Sequence, residues 1–168
     1  SIMAVAANTY GSVAEVETRV GDLVNARNFA ESTIPTRAEV ETLLDSVAYV
    51  MNAKLKAKGF TVKVDSSTDP EAFNALVLAN NSEACVHLLA AYLPSEALSP
   101  ENPDAFVGRA RVYRDIYDDV MEMVENGTLP ATRSVSGEVS IAVNTGRLDD
   151  NGNVKKPLFT RDLHEYPS

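Results

Sequence analysis

Ile34-Pro35-Thr36-Arg37-Ala38-Glu39-Val40 carries a complete helix start. In the pattern Thr-x-x-Glu the threonine hydroxyl caps the N–H of the third helical residue, and the glutamate reaches back to the threonine N–H. Val40, Leu43, Leu44, Val47, Met51 and Leu55 follow at three- and four-residue steps, which predicts a long amphipathic helix from about Thr36 to Lys58. Gly59 supplies a residue able to take the left-handed C′ position, and Lys54, Lys56 and Lys58 put positive charge at the negative end of the helix dipole. Both ends of this helix are therefore written in the sequence.

The same grammar recurs on either side. Upstream, Ser12-Val13-Ala14-Glu15 is a second capping-box pattern. It leads into Val13, Val16 and Val20, a short helix ending at Gly21 or near Arg27-Asn28. Downstream, Asp69-Pro70 opens a helix predicted to run to Leu93, with Asp as N-cap and Pro at the first helical position, where its missing N–H costs nothing. Its apolar side is Phe73, Leu76, Val77, Ala84, Leu88, Ala91 and Tyr92. Asn80 and Asn81 interrupt that stripe and are expected to face solvent, the alternative being a polar contact between subunits. Asn102-Pro103 repeats the signature for a last helix, whose stripe is Phe106, Val107, Ala110, Tyr113, Ile116, Tyr117, Val120 and Val124, with Gly127 after its end. Its aromatic residues Phe106, Tyr113 and Tyr117 read as core, the alternative being interface anchors. Three long helices and one short one make a small, mainly α bundle over residues 1–127.

Residues 128–168 read differently. Val135, Val139, Ile141 and Val143 alternate with polar residues, and Asp150-Asn151-Gly152-Asn153 is a turn pattern, so an extended or hairpin-containing C-terminal arm is expected. A lone hairpin is marginal in water, which makes Val139, Ile141 and Val143 candidates for an inter-subunit contact. Lys155 to Asp162 sets Pro157, Leu158 and Phe159 among charges, the composition of a docking tail.

The charge balance limits what the chain can bind. At a formal charge of −9 it is a poor nucleic-acid wrapper, because affinity for phosphate comes from Lys and Arg displacing counterions. An acidic wall past which DNA slides without sticking remains compatible with that charge. Hydrophobic residues at 45% and charged residues at 23% are ordinary for a globular domain. Cys85 is the only cysteine, so no intrachain disulfide forms. No apolar run approaches the ~20 residues of a membrane span, and no membrane partner is expected. Ser1 and Ile2 ahead of Met3 read as an expression remnant outside the fold argument.

Chemistry-bearing patterns are weak throughout. His87 and His164 are the only histidines, and neither has a partner at metal-ligand spacing. Cys85 and His87 stand two apart on a helix and so point to different faces, against a nucleophile pair. Asp149-x-Asn151-x-Asn153 lacks the sixth-position glycine and the terminal glutamate of a calcium loop. Asp118, Asp119, Glu122 and Glu125 form an acidic helix face, best read as solvated. Neither a catalytic site nor a cofactor is expected.

The strings Tyr10-Gly11-Ser12-Val13-Ala14-Glu15-Val16, Arg19-Val20-Gly21, Ile34-Pro35-Thr36-Arg37-Ala38-Glu39-Val40 and Met51-Asn52-Ala53-Lys54-Leu55 with Gly59-Phe60 resemble, in order and spacing, the N-terminal half of head-to-tail adaptor proteins of tailed bacteriophages. Pro157-Leu158-Phe159-Thr160-Arg161-Asp162 is similar to the C-terminal tail of such proteins. The resemblance implies a virion protein at the head–tail interface, assembled in the host cytoplasm into a homo-oligomeric ring, usually a dodecamer. Such a ring docks on the portal protein after DNA packaging, extends the channel for passing DNA, and carries the next connector or tail protein. It also implies portal contacts by Pro157, Leu158, Phe159, Arg161 and Asp162. The competing expectation is an acidic cytosolic helical module that binds a basic protein.

Overall fold

A computed structural model of the chain describes residues 8–91 and 104–134, with 104–107 contributing backbone alone. The chain divides into two compact units, residues 1–132 and 133–168, and the described helices all belong to the first. The expected arm residues Val139, Ile141 and Val143, the tail residues Pro157, Leu158, Phe159, Arg161 and Asp162, and the expected alternation and turn all lie outside the described residues.

The first unit is mainly helical. Its helices are α1 (Val13–Val20), α2 (Arg37–Ala57), α3 (Pro70–Ala91) and α4 (Asp104–Glu125), with a 3-10 turn at Gly21–Leu23. The capping box predicted for α2 is closed in both directions. Thr36 Oγ1 accepts from Glu39 N (3.2 Å), and Glu39 Oε2 accepts from Thr36 N (2.7 Å). Those bonds to the ionised form, the Thr36 backbone N–H first, hold the Glu39 carboxyl below its usual range. Gly59 takes φ +79°, which lets Phe60 N turn back to Leu55 O (3.0 Å) and seat its ring in the core.

The box predicted for α1 is only half made. Ser12 Oγ accepts from Glu15 N (3.3 Å), but the Glu15 carboxylate pairs with Arg19 (2.7 Å). The Ser12 N–H is already donated to Asn81 Oδ1 (3.0 Å), so nothing is left for Glu15 to satisfy.

Helix α3 is the central element. It packs most extensively on α4 and also touches α2 and α1. Two apolar clusters form along it. One joins Met51 and Leu55 of α2, Ala72, Leu76 and Ala79 of α3, and Tyr117, Val120, Met121 and Val124 of α4, with Phe60, Val64 and Leu129 from the connections. The other joins Val13, Val16 and Val20 of α1, Val40 and Leu44 of α2, and Ala84, Cys85, Leu88 and Leu89 of α3. Burial of Leu129, with Thr132 N donating to Asp69 Oδ2 (2.9 Å) and Thr61 N donating to Thr132 O (2.9 Å), carries the bundle unit past Gly127. Tyr117 is buried and Tyr113 packs against the second cluster, as expected of core aromatics, while the Phe106 side chain lies outside the described ones.

Candidate functional site

Between the two apolar clusters, α3 places a polar belt of Asn80, Asn81, Ser82 and Glu83, all buried. Exposure was expected for Asn80 and Asn81, and the structure overturns it: both are 0% exposed. The cause is topological: this middle turn of α3 lies beneath the entering segment, α2 and α4, whereas the helix keeps exposed positions such as Asn74 and His87 elsewhere along its length. Their role is to receive the chain that enters the fold.

That chain is the extended segment Asn8–Ser12. Asn80 Oδ1 accepts from both Tyr10 N (3.1 Å) and Gly11 N (3.0 Å), and Asn80 Nδ2 donates to Leu44 O (3.1 Å). One side chain thereby ties the segment to α2 and α3 together. Tyr10 OH donates to Asn52 Oδ1 (2.7 Å) and accepts from Val64 N (3.3 Å), while Lys63 Nζ donates to Thr9 O (3.1 Å) and lies 5.5 Å from the centre of the Tyr10 ring. Burial pushes the Tyr10 hydroxyl above its usual range. Gly11 is required by proximity: a Cβ there would sit 2.5 Å from Asn81 Oδ1 and 2.7 Å from Leu44 Cδ2.

The belt continues into a charged cluster between α3 and α4. Glu83 is 6% exposed, and its Oε1 lies 2.9 Å from Arg114 Nη1 and 3.2 Å from His87 Nε2. Among the described residues Glu83 Oε2, Ser82 Oγ and Asn81 Nδ2 are buried without a hydrogen-bond partner. Burial holds the Glu83 carboxyl above its ordinary 4.5, with Asp118 adding to the rise and Arg114 and His87 opposing it. His87 thus has a half-exposed surface position beside Glu83, in keeping with its reading as a surface residue. A second ion cluster ties α4 to the 3-10 turn: Arg109 donates to both Asp22 oxygens (2.7 and 3.0 Å) and to Arg19 O (2.6 Å). The hydrogen bond from Arg109 holds the Asp22 carboxyl below its usual range.

The raised Glu83 carboxyl has a testable sign. The folded state binds its proton more tightly than the unfolded chain does, so the group favours folding most below about pH 4.5. That contribution is lost as pH rises through the raised value. Glu83→Gln removes the dependence and leaves only half-exposed partners behind. Thermal unfolding from pH 4 to 8 should show the variant gaining on the wild type as pH rises; a wild type that gains on the variant contradicts this reading.

The lone thiol is poorly placed for nucleophilic chemistry. The Cys85 thiol is buried in the second cluster, and burial pushes it up to about 12, far from a usable thiolate. Among the described residues no three His, Cys, Asp or Glu side chains gather around a possible metal position. Nor is any described helix long and apolar enough to cross a membrane.

The outer surface is more informative. Tyr49 (56% exposed) and Val50 (52%) stand out from α2 and Val112 (58%) from α4. The outer side of α4 carries exposed Asp115, Asp118, Asp119 and Glu122, whereas Glu125 pairs with Lys58 (2.8 Å). Among the expected acidic face, therefore, only Glu125 is drawn into a contact within the bundle that the described ion pairs record. Comparison with known proteins found no matching family model, no matching curated protein and no matching solved structure.

Proposed function

We propose that this chain is a structural subunit of a tailed-bacteriophage head-to-tail connector ring. It docks on the portal after packaging, extends the DNA channel and offers a platform to the next connector or tail protein. One observation carries the reading: the residues through which the sequence resembles adaptor proteins are the ones that build a single bundle. Tyr10 and Gly11 occupy the asparagine slot, Ser12 and Thr36 cap helices, and Met51, Leu55 and Phe60 fill the first cluster. A ring subunit needs such a rigid body and outward apolar side chains that a neighbour can cover, and it needs no cofactor. The −9 charge suits a channel through which DNA passes unbound.

The acidic outer side of α4 favours a second reading, a module that binds a basic protein. The two separate on one variant. Deleting 155–168, which removes the end of the tail, is expected to leave the bundle folded by circular dichroism and to reduce capture by tailless, portal-bearing capsids to background. Undiminished capture contradicts the assignment of Leu158, Phe159 and Arg161 to the portal contact. A salt-sensitive complex with a basic protein, and no capsid affinity in the full chain, favours the second reading.

A further inference from the structure

The outward side of α2 breaks the usual rule for a surface helix. Thr42, Ser46, Tyr49, Val50 and Ala53 are exposed and share one side of the helix, yet none is charged. The two aliphatic hydroxyls on this strip are turned inward to the backbone, Thr42 Oγ1 to Ala38 O and Ser46 Oγ to Thr42 O, both at 2.9 Å. What the strip presents is therefore mostly aliphatic carbon and the Tyr49 phenol. Asp45 at its edge is held by Thr9 Oγ1 (3.1 Å), and exposed Lys56 closes its far end.

Helix α4 has a surface of matching form. Gly108 is exposed and, among the described residues, has no atom within 4 Å of a would-be Cβ, so none of their contacts calls for a glycine that costs helix stability. One turn on, Val112 is exposed, and Asp115, Asp119 and Glu122 continue the same side. Tyr49 and Lys56 are seven residues apart, as are Gly108 and Asp115, so each helix spaces the two features by about 10 Å.

We infer that these two surfaces meet between copies of this chain. The Tyr49 ring of one copy seats in the Gly108 notch against Val112 of the next, and Lys56 faces Asp115 and Asp119. Charge selects the partner: copies of net charge −9 repel one another, and the uncharged strip ending in a lysine is where an acidic helix can approach. Within one copy α2 meets α4 through other sides of both helices, with Lys54 5.7 Å from the centre of the Tyr117 ring and Lys58 paired with Glu125. Among the described residues nothing covers either surface, so both are left for neighbours, and a contact between two different faces is head-to-tail and propagates into a closed ring or a filament.

The inference rests on the connector reading and adds which faces touch. The test uses Ala53→Cys and Val112→Cys with native Cys85 retained, since that thiol is buried and unreactive. Under mild oxidation, free and on portal-bearing capsids, the chain with both substitutions should give a ladder of multimers. A mixture of the two single variants should stop at dimers containing one of each. Dimers of Ala53→Cys with itself would overturn the head-to-tail assignment, and no cross-linking above that of a Thr68→Cys control would overturn the contact altogether. Capsid capture of the wild type, measured in parallel, reports on the connector reading separately: capture without cross-linking sinks only the interface.

Discussion

Asn80→Leu is expected to lower the unfolding free energy by about 3–4 kcal/mol, a large share of the ~5–15 kcal/mol available to an ordinary domain. Leucine keeps the branching of asparagine but is bulkier, so some overpacking adds to the polar loss. Without the amide, the buried N–H of Tyr10 and the part-buried N–H of Gly11 lose their acceptor, and Leu44 O loses a donor. Each orphaned buried group costs about 1–3 kcal/mol, with the α2 carbonyl at the low end because it has a second lone pair. Asn81→Leu should cost only about 1 kcal/mol, because Asn81 accepts a single bond, from Ser12 N, and its Nδ2 has no partner to lose. Urea unfolding of the two variants checks the ranking; equal losses would mean that the entering segment is not held through Asn80.

Gly11→Ala is the second large effect, about 2–3 kcal/mol, and its cause is overpacking. The added methyl would lie 2.5 Å from Asn81 Oδ1 and 2.7 Å from Leu44 Cδ2, so the segment must lift or both side chains must shift. Lifting the segment breaks the bonds to Asn80. For that reason the double variant Gly11→Ala/Asn80→Leu should cost much less than the sum of the two single losses, since both remove one interaction. Additive losses in a double-mutant cycle would show that the methyl is accommodated without moving Tyr10.

Much of the bundle was legible because helix starts are chemically explicit. Thr36 with Glu39, Ser12 ahead of Val13, and Gly59 after Lys58 each solve a local hydrogen-bonding problem that the structure solves in the same place. What the sequence concealed depends on which elements meet. Periodicity marks Asn80 and Asn81 as a break in an apolar stripe, and only the packing of α1, α2 and α4 around α3 turns that break into a buried belt. Glu15 looked like half of a capping box, but its target N–H is claimed by Asn81, a residue far along the chain. Arg109 with Asp22 and Arg114 with Glu83 join distant segments and leave no local pattern.

The outer surface shows the same division. The core stripe of α2 is readable as spacing, whereas Tyr49 and Val50 draw attention only once they are seen to remain uncovered. Gly108 becomes informative in the same way, because no described residue outside its own helix lies close beside it.

The most direct measurement is the mass and shape of the assembly formed by the full chain, by light scattering and native electron microscopy, alone and then with DNA-filled, tailless capsids. The connector reading predicts a ring of copies, free or gathered at the portal vertex. A chain that stays monomeric and ignores the capsid would contradict it.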